Sequence, residues 1–197
     1  VHRGEFDEAA YVESYKQEIG YFARQSQGRK VQSVFFGGGT PSLMDPRSVA
    51  AILETIDSYW GIAPKAEITL EANPNSVEAD RFADLRSAGV NRLSLGLQSF
   101  DDRALRFLGR AHSASEGFRA LEIAQRNFRR VSFDLIYAVP GDTEASWSAM
   151  LGQALSLGTK HLSLYQLTIE PGTRFATMAA KKEFEPLDAD AAAALYE

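Results

Sequence analysis

The regular recurrence of short apolar runs constrains this chain more than any other feature. Five runs alternate bulky with small or polar residues: VQSVFFG (31–37), EITLEAN (67–73), RLSLGLQS (92–99), RVSFDLIY (130–137) and HLSLYQLTI (161–169). Stretches with helical spacing lie between them. Asp45 followed by Pro46 predicts a capped helix running to about Tyr59. Ser113 with Glu116 predicts a capping box ahead of an apolar face of Phe118, Leu121 and Phe128. Trp147, Met150, Leu151, Ala154 and Leu155 keep helical spacing, as do Tyr11, Tyr15, Ile19 and Phe22 before the first run. An alanine-rich helix is expected from about Leu187. The strand-to-strand interval, roughly 25–40 residues, is what a right-handed βαβ crossover needs, so the strands are expected to run parallel. GVNRLSL (89–95) and GTKHLSL (158–164) repeat one pattern, a glycine that ends a helix and a chain that turns straight into a strand.

No linker or low-complexity block interrupts this alternation, so residues 1–197 are expected to form a single βα-repeat domain. The formal net charge of −5 disfavours nonspecific binding to nucleic acid or an anionic membrane. No apolar run approaches the roughly 20 residues that span a bilayer. VHRGEFDEAAYVESY has acids where a secretory leader is apolar, so the expected compartment is the cytoplasm. The chain contains no cysteine, which excludes disulfides and thiolate metal sites from its own residues.

Alternation assigns strand residues to two faces. Val34, Phe36, Ile68, Leu70, Leu93, Leu95, Leu97, Val131, Phe133, Leu135, Leu162 and Leu164 share the face suited to lie against helices. The other face carries Ser33, Phe35, Gly37, Thr69, Glu71, Ser94, Gly96, Gln98, Ser132, Asp134, Ser163 and Tyr165. It is too small and polar to fill a closed eight-stranded barrel, and too polar for an open sheet covered on both sides. A wide, partly open barrel with a wet lumen fits. Glu71, Gln98, Asp134 and Tyr165 are then expected to converge with the glycine run at the C-terminal ends of the strands. Each alone reads as a satisfied strand-end hydrogen bonder, but four in one register favour a shared ligand.

Three successive glycines, Gly37 to Gly39, exceed what a tight turn requires and suggest a ligand lying on main-chain amides and carbonyls. The segment lacks the lysine of a P-loop and the spacing of a dinucleotide fold. FFGGGTPSLM, followed in order by EITLEANP, RLSLGLQSF, LGRAHS and SFDLIYAVPGDT, resembles the radical S-adenosylmethionine (SAM) superfamily over roughly residues 5–175. Within it, the chain is most similar to the oxygen-independent coproporphyrinogen III oxidase family and its shorter heme chaperone branch, HemW. The resemblance implies a partial, open (β/α)6-type TIM-like barrel without its first strand and C-terminal domain. It implies that Gly38, Gly39 and Thr40 meet the methionyl end of SAM and that Glu71, Gln98, Arg110 and Asp134 make its other contacts. Gln166 matches a position whose backbone lies near the adenine. The chemistry agrees in kind, because carboxylates suit the ammonium, sulfonium and ribose hydroxyls, and an arginine suits the carboxylate.

The resemblance also implies a [4Fe–4S] cluster held by a Cys-x-x-x-Cys-x-x-Cys loop, and this chain begins at about the point where that loop would end. A cluster is therefore expected only of a longer protein, and the fragment alone is expected to be inactive. Two functions remain open. One is a chaperone that binds heme and delivers it to a receiving protein. The other is a coproporphyrinogen III dehydrogenase converting propionates to vinyl groups. A third class, a metal-free βα-barrel enzyme for another polar metabolite, stands behind both. His112 reads first as a capping or solvated histidine and second as a ligand or heme contact. His2, His161, Trp60 and Trp147 read as structural, and Pro140–Gly141 as a loop turn. Without a preceding strand, the edge of VQSVFFG is expected to pair with another chain or to limit solubility.

Overall fold

The expected parallel sheet is present, in a computed structural model that describes residues 7–197. Its strands are β1 (Val31–Phe36), β2 (Ile62–Ala72), β3 (Arg92–Gln98), β4 (Arg130–Tyr137) and β5 (Leu162–Gln166). They lie side by side in chain order, every pairing parallel, as a curled half-barrel. Helices α1 (Glu8–Gln25), α2 (Pro46–Trp60), α3 (Ser76–Ala79), α4 (Phe82–Ser87), α5 (Asp102–Phe107), α6 (Ala114–Asn127) and α7 (Glu144–Ser156) connect or precede the strands. Two more, α8 (Arg174–Ala180) and α9 (Ala189–Tyr196), follow β5. β2 starts five residues before the expected run and β5 is shorter than expected.

Local chemistry sets the boundaries. The Asp45 carboxylate accepts from Arg47 N at 2.8 Å with Pro46 at the first helical position of α2. Ser113 and Glu116 form the reciprocal capping box of α6. Gly89 and Gly158, the glycines of the repeated motif, take φ values of +112° and +75°, which end the preceding helix at little steric cost.

The core lies between the convex face of the sheet and the helices. Leu70, Leu93, Leu95, Leu97, Phe133 and Leu135 meet Phe82, Leu85, Val90, Leu121 and Ala124 in one buried cluster. Each such side chain contributes about 1.5–3 kcal/mol by leaving water. Leu164 departs from the expected pattern because it lies on the edge strand β5 and is exposed. In α7, Trp147 and Ala154 are buried but Leu155 turns outward. The correction for α1 is larger. Val12, Gly20 and Ala23 are its buried residues, whereas Tyr11, Tyr15 and Phe22 are exposed. α1 approaches α2 through small residues, closely enough that a Cβ on Gly20 would stand 3.0 Å from Tyr59 Oη.

The lower part of the concave face is drier than the sequence suggests. Thr69, Ser94 and Ser132 are buried. Arg92 lies over them, donating to Ser132 Oγ at 2.8 Å, and Ser132 donates to Ser94 Oγ at 3.0 Å. Glu67 pairs with Arg92 at 3.7 Å and with Arg130 at 3.0 Å. These charges occupy the N-terminal ends of the strands and leave the C-terminal ends to the site.

Candidate functional site

The strands β1 to β4 each deliver one part of the site. β1 runs into Gly37–Gly39 and then a single 3₁₀ turn, Pro41–Leu43. Gly38 takes φ +121°, which a side chain would strain, and its N–H donates to Glu71 Oε2 at 3.2 Å from the end of β2. A Cβ on Gly38 or Gly39 would meet nothing within 4 Å, so their backbone faces open space. β3 ends irregularly: its pairing with β4 shifts register between Leu95 and Gln98, and Gln98 takes φ +67°. This bulge re-aims the Gln98 side chain. β4 supplies Asp134, and the turn after α5 supplies Arg110.

The structure brings seven of the expected residues together. Gly38, Gly39, Thr40, Glu71, Gln98, Arg110 and Asp134 line one cleft of about 210 Å³. A second cavity of about 430 Å³ adjoins it across Glu71, Ser94 and Asp134 and continues down the concave face to Arg92, His161 and Tyr165. Gln166 is not in this group. It is exposed and lines a separate cavity of about 370 Å³ with Ala138, Leu167 and Leu187. His161, read as structural, lines the concave cavity at the repeat position that corresponds to Arg92. His112 is neither a cap nor solvated: it is buried, with Nε2 3.1 Å from the Leu97 carbonyl behind the β3 bulge. Burial pushes its pKa down. His2 lies outside the described residues.

The electrostatics suit a ligand carrying both signs of charge. Burial pushes the Asp134 carboxyl up, the Ser163 hydroxyl draws it back, and the nearby Glu71 charge raises it again. A cation between the two carboxylates relieves that strain. Arg110 is pushed down by burial, against the neighbouring charges of Glu78 and Asp134. Its Nη2 donates to Asn73 Oδ1 at 2.7 Å and to the Gly96 carbonyl at 3.3 Å. Among the described residues its Nε and Nη1 make no hydrogen bond, so donors remain for an anion.

Sequence reasoning missed Asn73, Glu78 and Arg92. The Asn75–Glu78 spacing was a legible cap signal, since Asn75 Oδ1 accepts from Glu78 N at 3.0 Å. Arg92 was visible only as the basic residue of the repeat.

SAM fits this donor set. Glu71 can face its cationic end, Arg110 its carboxylate, and Gln98 and Asp134 its hydroxyls. An iron–sulfur cluster does not fit the residues present, because the chain has no cysteine and no group of three or more potential ligands gathers among the described residues.

Comparison with known proteins agrees with the geometry. The profile of the radical SAM superfamily matches residues 4–154. The radical S-adenosyl methionine domain-containing protein 1, mitochondrial, of Bos taurus is 44% identical over 97% of this chain and 43% of its own length. The heme chaperone HemW of Escherichia coli is 41% identical over 89% of this chain and 47% of its own. The solved structure of coproporphyrinogen III oxidase (HemN) from Escherichia coli, described as a radical SAM enzyme, superposes with a TM-score of 0.81 at 26% identity. That superposition covers 100% of this chain and 45% of the other. The chain thus spans less than half the length of these relatives. The half-barrel and the extent of the profile match lead to one assignment: the chain belongs to the radical SAM superfamily.

Proposed function

We propose that this chain is the SAM-binding part of a heme chaperone. The convergence of Gly38–Thr40, Glu71, Gln98, Arg110 and Asp134 on one cleft carries the SAM reading. Likeness to proteins named heme chaperones, at 41% identity in Escherichia coli and 43% in Synechocystis, supports the heme reading. When bound, SAM supplies reductive cleavage chemistry at its sulfonium. The chain's own residues orient it: Glu71 and the Gly38–Gly39 backbone hold the ammonium, Arg110 the carboxylate, and Gln98 and Asp134 the ribose hydroxyls. The superfamily's [4Fe–4S] cluster draws no ligand from this chain. Partners on this reading are heme and a heme-receiving protein. No described helix is long and apolar enough to cross a membrane. The cytoplasm is the proposed compartment, with the mitochondrion, named for the bovine relative, as its rival.

Calorimetric titration of the chain with SAM tests the cleft. Glu71→Ala or Asp134→Ala is expected to cost about 1–3 kcal/mol of binding, the range for losing a charged hydrogen bond. Unchanged affinity removes that residue from the site. The likeness to coproporphyrinogen III oxidase favours a second reading, a dehydrogenase acting on that porphyrinogen. Parallel anaerobic calorimetric titrations with heme and coproporphyrinogen III separate the two. Retention of heme alone supports the chaperone, and retention of the porphyrinogen alone supports the dehydrogenase.

A further inference from the structure

Glu78 is a charged residue that neither faces the cleft nor reaches solvent. It is 2% exposed, at the end of β2's loop in the short helix α3. All partners of its carboxylate are donors. Oε2 accepts from Asn73 N at 2.7 Å and from the Ser42 hydroxyl. Oε1 accepts from Asn75 Nδ2 at 2.7 Å and from Asn73 Nδ2 at 3.3 Å. Only a carboxylate accepts on both of its oxygens.

The consequence falls on Asn73. With its NH2 group turned to Glu78, its Oδ1 is left facing Arg110 Nη2 at 2.7 Å. A flipped amide would set an NH2 group against a guanidinium, donor against donor. The same carboxylate reaches Ser42, which is fully buried just beyond the glycine run. One turn further on, Arg81 donates to the carbonyls of Leu43 at 3.0 Å and Met44 at 2.7 Å. A single turn of chain thus ties the wall carrying Gly38–Thr40 to the wall carrying Arg110.

We propose that Glu78 is a positioning residue: it fixes the Asn73 amide so that its oxygen faces Arg110, and thereby aims the arginine at the carboxylate end of SAM. This role rests on the reading of the cleft as a SAM site. It predicts a loss confined to ligands that bear the carboxylate. Glu78→Gln places an NH2 group among donors, so Asn73 loses its fixed orientation while the adenosine contacts of Gln98 and Asp134 stay intact.

The test is calorimetric binding of SAM and of decarboxylated SAM, which keeps the adenosine, sulfonium and amine. The proteins are the wild-type chain, Glu78→Gln, Asn73→Ala and the double variant. Each single substitution is expected to weaken SAM about tenfold, the scale of one charge-assisted hydrogen bond, and decarboxylated SAM less than about threefold. The double variant is expected to bind SAM no more weakly than the weaker single, because the two residues act in one chain of contacts. If Glu78→Gln does not fold, Asn73→Ala carries the same comparison. Equal losses for both ligands, additive losses, or no loss overturns the positioning role. If the wild type binds SAM in a Glu71-dependent way and Glu78→Gln leaves that binding unchanged, only this role falls. If the wild type binds no SAM, the reading of the cleft falls and this role with it.

Discussion

Gly96 occupies a position where the cleft has no room for a side chain. A Cβ there would stand 2.8 Å from Gln98 Nε2 and 3.3 Å from Arg110 Nη2. Both are the ends of flexible side chains, so Gly96→Ala is expected to displace them rather than unfold the sheet. SAM affinity should fall about tenfold or more in titration calorimetry, with the thermal midpoint nearly unchanged. Asp134 gives a second prediction. Its carboxyl is raised above the ordinary 3.8, so the native chain holds that proton more tightly than the unfolded chain. Its contribution to stability is therefore greatest at acid pH and declines as pH rises from 3.8 through the raised value. Urea midpoints measured upward from about pH 4 should show this decline, and Asp134→Asn should flatten it. Most of these residues were legible because they stand at strand ends. The conformation that delivers Gln98 was not: strict alternation contains no bulge and no left-handed residue. The burial of His112 was equally hidden, because it depends on its contact with the Leu97 carbonyl, which also accepts from Ser99 N at 2.8 Å at that bulge.

The helices show how far apolar periodicity reaches. In α6 the expected face is largely the covered one, with Leu121 and Phe128 buried and Phe118 half-buried, and α2 buries Val49, Ile52 and Leu53. α1 carries a wider aromatic stripe than either, yet docks through Gly20 and Ala23, where smallness permits close approach. Hydrophobicity marks a face, whereas the neighbour decides which face is covered. Phe22→Ala should therefore shift the urea-derived stability by no more than about 0.5 kcal/mol, as for ordinary surface positions. Leu121→Ala, in the core beneath α6, should cost about 2–5 kcal/mol. A reversed order of these two would mean that α1 buries its aromatic stripe in solution.

At the scale of the molecule, the parallel order and the half-barrel followed from spacing and from the polarity of one face. The dry, charged floor around Arg92 did not, because strand alternation cannot show a long side chain folding over its neighbours. β1 is an edge strand of the described sheet and holds Phe35 at 60% exposure. Sedimentation velocity should show concentration-dependent association of the chain that Phe35→Lys reduces, because a charge on an edge opposes pairing. Anaerobic iron–sulfide reconstitution of the chain should produce no thiolate-to-iron charge-transfer absorbance, given the absence of cysteine. From β2 onward each strand pairs with the one synthesised just before it, so a chain leaving the ribosome can extend an existing edge at each of these steps. Asp134 is the last of the seven cleft residues to emerge, so on the proposed reading the nucleoside site is complete only once the fourth strand is in place.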